Sequence, residues 1–152
     1  IEESFLIRRL YRFSPKLRVM HNSPQKVYAV DTGLVSRVSV GVSENKGKMY
    51  ENILFLEILR RGRKVFYYKD PKTGKEVDFL IVDGDNVELI QVCYDMSNEK
   101  TLKREISSLV KGMKAVGCEK GTIVGGDKVD EMVYGGYSIE FVPLWRWLLT
   151  GY

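Results

Sequence analysis

The fold is decided by residues 76–94, whose sequence is EVDFLIVDGDNVELIQVCY. Two apolar runs, 76–83 and 87–94, flank a short segment that contains Gly84, and this pattern predicts two strands joined by a tight turn. The second run is almost continuously apolar, which is typical of a strand covered on both faces. We therefore expect a sheet with protein packed on each side.

A long helix is predicted after this hairpin. Apolar residues recur at helical spacing over 102–116, and Ser97 or Asn98 is suited to cap the first turn. Gly117 follows the last apolar position and is suited to end the helix. This is the most regular helical pattern in the chain.

The remaining elements lie on either side of this core. They are a helix over 48–61 that Gly62 ends, strands over 64–69, 121–124 and 137–142, and a short helix that begins at Pro143. The order is helix, three strands, helix, two strands, short helix, which indicates an α/β fold. Short extended runs at 5–12 and 26–30, separated by a turn-rich stretch, predict an N-terminal arm over 1–40 before a domain over 41–152.

The composition is typical of one globular domain. The chain has 152 residues, 44% hydrophobic and 29% charged, with a net charge of +4. No apolar stretch approaches the roughly 18 residues of a membrane span, so we expect no membrane segment and no signal peptide. Cys93 and Cys118 are too few for a disulfide framework, which favours a reducing, cytoplasmic setting. The one histidine, His21, is expected in a loop, and the first residue, Ile1, suggests a piece of a longer protein.

Basic residues are concentrated in two places. Residues 1–26 hold six of them against two acids, and a second cluster, Arg60, Arg61, Arg63 and Lys64, follows the first predicted helix. Such clusters, with tyrosines nearby, suit the neutralisation of nucleic-acid phosphates. Basic residues that close a helix also complement its dipole, so a structural role is equally open.

The stretch from Gly41 to Lys48 is similar to a phosphate-binding loop, but its spacing does not match that motif. Five residues separate Gly41 from Gly47, and Met49 stands where a phosphate-binding loop needs Ser or Thr. We therefore expect no ATP hydrolysis by this chain itself.

Two acidic residues are in places where acids are uncommon. On a helical wheel Glu51 falls in the most apolar arc of its helix, where a carboxylate needs a partner, a metal or a proton. Asp78 lies inside a predicted strand, where alternation places it with Glu76 and Leu80 and opposite Val77, Phe79 and Ile81. Gln91 and Cys93 share one face of the next strand. A helix acid, a strand acid and a polar neighbour could form a pocket for a divalent cation.

Several segments also occur in the order found in a known family. These are 48–62 with Glu51 and Asn52, FYY at 66–68, EVDF at 76–79, ELIQVCY at 88–94 and PLWRWLL at 143–149, preceded by VYAVDTGL at 27–34. Together they resemble the C-terminal domain of unknown function carried by many prokaryotic AAA+ family ATPases. The resemblance covers almost the whole chain. It implies a restriction-endonuclease-like, PD-(D/E)XK nuclease-like core, with a central mixed β-sheet flanked by helices, attached to an ATPase module.

The resemblance implies a site as well. Glu51 matches the acid of the first core helix, Asp78 the strand Asp, Gln91 the second acid of the E-x-K element and Cys93 its lysine. Glu51, Asp78 and Gln91 would then hold Mg²⁺ or Mn²⁺. The last two positions depart from the motif, because glutamine offers only a neutral carbonyl oxygen and a buried cysteine offers no positive charge.

Another cation could replace the missing lysine. Lys103, Arg104 and Lys111 follow on the next helix, although all three also fit its solvated face. The leading hypothesis is therefore a catalytically degenerate accessory domain that binds nucleic acid or regulates an attached AAA+ ATPase. The alternative is an active Mg²⁺- or Mn²⁺-dependent nuclease.

A third hypothesis is a protein-interaction domain. It would use the aromatic end at Trp145, Trp147 and Tyr152, since such residues often anchor interfaces. The competing interpretation is that both tryptophans close the core, as large aromatic side chains are mostly buried.

Overall fold

The computed structural model describes residues 6–31, 33, 46–127 and 129–151. Its helices are α1 (Leu17–Asn22), α2 (Lys46–Arg60), α3 (Glu99–Val116) and α4 (Leu144–Thr150). Its strands are β1 (Ile7–Leu10), β2 (Lys26–Ala29), β3 (Lys64–Lys69), β4 (Glu76–Asp83), β5 (Asn86–Val92), β6 (Lys120–Val124), β7 (Asp130–Tyr134) and β8 (Tyr137–Val142). None of the described helices is long and apolar enough to cross a membrane.

The strands β3 to β8 form one mixed sheet of six strands in the order β3-β4-β5-β6-β8-β7. The strands β3, β4 and β5 are antiparallel, β5, β6 and β8 run parallel, and β7 pairs antiparallel with β8. The helix α3 connects β5 to the parallel strand β6, as a crossover between parallel strands requires. The predicted α/β fold with a central mixed sheet flanked by helices is confirmed at this level.

Each face of the sheet carries its own hydrophobic core. Leu54, Phe55 and Ile58 of α2 pack with Trp147 of α4 on one face, and the apolar stripe of α3 packs on the other. The side chain of Asn98 caps α3 by accepting a hydrogen bond from the Thr101 N–H at 3.0 Å. The sheet is therefore covered on both sides, as the apolar run of β5 predicts.

A β-bulge in β4 corrects the predicted alternation of that strand. Phe66 pairs with Leu80 and Tyr68 with Val77, so two residues of β4, Asp78 and Phe79, lie opposite one residue of β3. Val77 and Leu80 contact the core under α3, whereas Phe79 and Ile81 contact the core under α2. Val77 therefore does not share a face with Phe79, and the bulge turns Asp78 and Phe79 toward the same helix.

The N-terminal residues pack on the domain as a small separate sheet. The strands β1 and β2 pair antiparallel, and Leu10 and Tyr28 are buried in the core under α2. The side-chain amide of Asn52 on α2 donates to the Ala29 carbonyl and accepts from the Ala29 N–H, both at 2.9 Å. His21 lies in the short helix α1, not in a loop as predicted.

Two further elements differ from the sequence prediction. The strand β7 lies between the predicted strands 121–124 and 137–142, where the sequence pattern predicts no element. At α4, Trp147 is 1% exposed and closes the core, whereas Trp145 is 60% exposed. The segment 41–45 and Tyr152 lie outside the described residues.

Candidate functional site

An open cleft of about 770 Å³ lies where β4 and β5 separate. Its wall is formed by the start of α2, the turn before β4, the first residues of β4, the end of β5 and one side of α3. The last pair of the β4–β5 ladder at this end is Phe79 with Ile90. Beyond that pair, the Val92 N–H donates to the Asp78 Oδ2 atom at 3.0 Å, so this carboxylate replaces a strand partner.

The floor of the cleft is a carboxylate cluster centred on Lys26, which sequence analysis did not assign to the site. The Lys26 Nζ atom lies 2.9 Å from Glu51 Oε1, 2.8 Å from Glu76 Oε1 and 3.0 Å from Asp78 Oδ1. An ammonium group has three N–H donors, and these three carboxylates account for all of them. We call Glu51, Glu76 and Asp78 the acidic floor. The structure thus brings together the predicted acids Glu51 and Asp78, with a lysine between them.

Tyr28 completes this cluster. It lies two residues after Lys26 on β2, and its hydroxyl donates to the same Glu51 Oε1 atom at 2.5 Å. Its ring packs against Phe55 with the ring centroids 4.3 Å apart, which fixes β2 against α2. The period of two along β2 places the Lys26 and Tyr28 side chains on one face. That alternation groups the two side chains from sequence, but it does not indicate that both bond to Glu51.

The charges in the cluster depend on one another. Burial by itself would lower the pKa of the Lys26 ammonium, but the charges of Asp78 and Glu51 outweigh burial and raise this pKa above its usual range. Burial, followed by the negative charge of Glu51, raises the pKa of Asp78 to about 7. Burial and Glu51 also raise the pKa of the Tyr28 hydroxyl. Lys26 and Tyr28 therefore remain protonated donors to the acidic floor.

Gln91 lies beside Asp78, but its amide is engaged at both ends. Its Oε1 atom accepts from the Asp78 N–H at 3.2 Å, and its Nε2 atom donates to Glu105 Oε2 at 2.7 Å. The other oxygen of Glu105 accepts from the Arg104 guanidinium at 2.6 Å. Gln91 thus joins β4 to α3 through the gap in the sheet.

Cys93 lies apart from the acidic floor. Its side chain is buried in the core under α3, and its thiol donates to the Asp95 carbonyl at 3.6 Å. Burial, with smaller effects from Glu105 and Asp95, raises the pKa of this thiol to about 11. This thiol is therefore neutral near pH 7.

The arrangement does not fit the implied divalent cation. Lys26 occupies the space between Glu51 and Asp78, and the Gln91 carbonyl already accepts a hydrogen bond. In the parts of the chain that the structure describes, no group of three or more His, Cys, Asp or Glu side chains is placed to hold a metal ion.

Cations surround the opening of the cleft. The lining residues Lys48, Lys75, Lys103 and Arg104 form what we call the basic rim. Lys75 donates to the Ser107 hydroxyl, Lys103 pairs with Glu99 at 3.2 Å and Arg104 pairs with Glu105. Of the three cations proposed to replace the motif lysine, Lys103 and Arg104 line the cleft, whereas Lys111 does not belong to its lining.

The predicted phosphate cluster at the end of α2 is largely engaged in ion pairs. Arg60 and Arg61 both pair with Glu57 at 2.6 Å, and Arg63 pairs with Glu88 at 2.6 Å. Arg61 also donates to the Leu148 carbonyl at 2.8 Å, which joins α2 to α4. Arg60 follows Glu51 by nine positions along the helix, a rise of about 14 Å. This cluster is therefore remote from the cleft.

Lys64 completes the predicted cluster. It is exposed at the start of β3, and its ammonium lies 5.7 Å from the centroid of the Phe66 ring. Among the described residues no ion pair of Lys64 is found. It is therefore the member of the cluster whose charge is least engaged.

Comparisons with known proteins place the chain in a family. The family model described as "Domain of unknown function (DUF4143)" matches residues 46–147. An uncharacterized protein of Methanocaldococcus jannaschii is 37% identical over 158 aligned residues, which cover 97% of this chain and 34% of that protein. An uncharacterized protein of Haemophilus influenzae is 28% identical over 96 residues, covering 63% of this chain and 24% of that protein. The chain thus spans about a third or less of these relatives.

One solved structure is also similar. It is described as a refined half-complex from a tetradecameric assembly of Thermococcus gammatolerans McrB AAA+ hexamers with bound McrC, and the similarity has a TM-score of 0.46 at 11% identity. It covers 64% of this chain and 28% of that one. The family model matches most of the chain, including α2, the whole central sheet and α3. The chain therefore belongs to the DUF4143 family of domains of unknown function.

Proposed function

We propose that this chain is a nuclease-like accessory domain of a larger AAA+ family ATPase, and that it binds nucleic acid without cleaving it. The observation that carries the proposal is the Lys26 ammonium between the carboxylates of Glu51, Glu76 and Asp78. The ATPase context rests on the sequence resemblance described above. The greater length of the relatives is consistent with an attached module.

The chemistry of phosphodiester cleavage supports the non-cleaving part of the proposal. A nuclease of this type needs carboxylates that hold a metal ion and a cation that stabilises the charge developing on phosphate. Here two of the predicted metal ligands, Glu51 and Asp78, bind an ammonium group instead. Cys93, which the resemblance aligns with the motif lysine, carries a buried neutral thiol.

The basic rim supports the binding part. Lys48 lies at the start of α2 and Lys103 is exposed on α3, so basic side chains from two elements line the cleft. Among the described residues no carboxylate pairs with Lys48 or Lys75. A phosphate backbone that enters the cleft meets these cations before it reaches the acidic floor. Such contacts are independent of base sequence and weaken with salt.

Two assays on the purified chain test the proposal. Labelled DNA and RNA, single- and double-stranded, are incubated with Mn²⁺, with Asp78→Ala as the control for contaminating nucleases. We expect no cleavage that depends on Asp78, together with nucleic-acid binding that weakens with salt. Cleavage lost in Asp78→Ala would instead establish the alternative, an active metal-dependent nuclease.

The binding surface is tested by matched substitutions. Lys48→Ala and Lys103→Ala remove rim cations, whereas Lys64→Ala removes an exposed lysine at the remote cluster. We expect the rim variants to weaken binding and to lower the salt dependence by about one ion per lost phosphate contact. If Lys64→Ala weakens nucleic-acid binding as much as the rim variants do, the binding surface lies at the end of α2 instead.

A protein-binding role is the second candidate function. Trp145 and Leu149 lie one helical turn apart on α4 and are 60% and 78% exposed. Exposed aromatic side chains of this kind often anchor interfaces. If the chain neither binds nor cleaves nucleic acid, Trp145→Ala in the full-length parent protein is the next variant to compare for assembly.

A further inference from the structure

The acidic floor poses an electrostatic problem for a cleft that binds phosphate. The carboxylates of Glu51, Glu76 and Asp78 line the cleft, and like charges at short range repel an approaching phosphate. Metal-dependent enzymes place a divalent cation between such carboxylates and the phosphate. In this chain the only cation bonded to all three carboxylates, within the described residues, is the Lys26 ammonium.

Lys26 is held in this position by its surroundings. The ring of Tyr28 is buried against Phe55, and Asn52 fixes the backbone of Ala29 three residues after Lys26. The Tyr67 ring lies beside the ammonium, with its centroid 5.7 Å from Nζ. These contacts fix the strand that carries the lysine, so its ammonium stays bonded to the carboxylates that line the cleft.

We propose that Lys26 is a positioning residue that makes this cleft competent to bind nucleic-acid phosphate without a metal ion. The proposal rests on the proposed function, because it assumes that phosphate binds at the basic rim. Lys26 itself does not contact the phosphate. Its ammonium offsets part of the negative charge of the acidic floor and orders its carboxylates, so that the attraction from the rim outweighs the repulsion from the floor.

The chemistry of the substituted site gives the proposal a specific signature. Lys26→Met keeps a side chain of similar length but removes the ammonium that the three carboxylates share, leaving only the Lys69–Glu76 ion pair at 3.6 Å. Phosphate binding should then become dependent on divalent ions, since carboxylate and phosphate oxygens both bind Mg²⁺ and Mn²⁺. A lysine that served only to stabilise the fold would not make nucleic-acid binding depend on Mn²⁺.

The experiment measures the affinity of the purified chain for fluorescently labelled DNA, in EDTA and in Mn²⁺. For the natural chain we expect equal affinity in both buffers. For Lys26→Met we expect binding about tenfold weaker in EDTA, a loss of about 1.4 kcal/mol, and recovery in Mn²⁺. Lys26→Arg keeps the positive charge and should bind DNA in EDTA. Lys103→Met, the rim control, should bind DNA more weakly in both buffers, and Mn²⁺ should not restore its affinity.

Each result separates this inference from the proposed function. If the natural chain binds DNA only when Mn²⁺ is present, the inference is overturned and nucleic-acid binding stands. If Lys26→Met binds as the natural chain does in EDTA, the inference is again overturned. If the natural chain binds no DNA in either buffer, both proposals fail. Should Lys26→Met not fold, Lys26→Gln is measured in the same two buffers, and an affinity in EDTA equal to that of the natural chain would overturn the inference.

Discussion

The side chain of Asn52 offers a direct test of how the N-terminal strands are attached. It is buried on α2, and its amide makes two hydrogen bonds of 2.9 Å, one to the N–H and one to the carbonyl of Ala29. Ala29 lies opposite Ile7 in the β1–β2 ladder, and the next residue, Val30, donates its N–H to the Leu6 carbonyl at 3.0 Å. The backbone groups of Ala29 therefore face α2, and Asn52 is their partner.

The cost of removing this amide follows from these contacts. In Asn52→Ala, a backbone donor and a backbone acceptor of partly buried Ala29 lose their partners. An unsatisfied buried polar group costs about 1–3 kcal/mol, and partial access of water to Ala29 places the total at about 2–4 kcal/mol. With a urea m-value of about 2 kcal/mol/M, the unfolding midpoint should fall by about 1–2 M.

The assay is equilibrium unfolding in urea, followed by circular dichroism. Asn22→Ala is the matched control, because Asn22 is exposed at the end of α1 and should change stability by less than about 0.5 kcal/mol. If the two variants unfold at the same urea concentration, Asn52 does not hold β2 on α2, and the reasoning about the attachment of Lys26 loses its support.

Three further predictions concern the cleft and the sheet. Because burial and Glu51 raise the pKa of Asp78 from 3.8 to about 7, the folded chain retains a proton that the unfolded chain releases, so stability should fall as pH rises from about 4 to 7. The free energy of unfolding should fall by at most about 1.4 kcal/mol per pH unit. Thermal unfolding of Asp78→Asn should not show this pH dependence, and equal pH slopes in the two proteins would mean that Asp78 is not the group that titrates. Gly112→Ala should lower the free energy of unfolding in urea by about 1–3 kcal/mol, because the added Cβ atom would lie 2.7 Å from Val77 Cγ2. Unchanged stability would mean that α3 can move away from β4. Iodoacetamide should modify partly exposed Cys118 before buried Cys93, whose pKa is about 11, as mass spectrometry would show; equal rates would place Cys93 at the surface.

Local sequence signals predicted the elements whose ends are set by nearby residues. The predicted bounds of β8 and β4 are those of the structure, and α3 begins after Asn98 and ends at Gly117, whose φ of 74° suits a left-handed C-cap. The strand β7 was missed because it lies at the edge of the sheet, where only Met132 is partly buried. Without a buried face it has no apolar alternation, and its pairing with β8 decides its conformation.

The bulge in β4 marks the limit of the alternation rule. Strict alternation would direct Phe79 away from Asp78, and the extra residue opposite β3 brings both side chains toward α2. An unpaired residue in a ladder is set by the partner strand, so β4 alone carries no signal for it. It is this bulge that allows one face to hold both an apolar core residue and a carboxylate.

The sequence required a partner for the two acids but did not identify it. Glu51 was expected to need a partner, a metal or a proton, and Lys103, Arg104 and Lys111 of α3 were considered only as replacements for the motif lysine. The helix α3 packs on the opposite face of the sheet from α2, so its side chains reach Asp78 only around the gap between β4 and β5. The strand β2 lies against α2 on the face of Glu51, and a lysine there reaches Glu51 and Asp78 directly at 2.9 and 3.0 Å. Lys26 precedes Glu51 by 25 residues and Asp78 by 52, so its role depends on tertiary packing that no local pattern encodes.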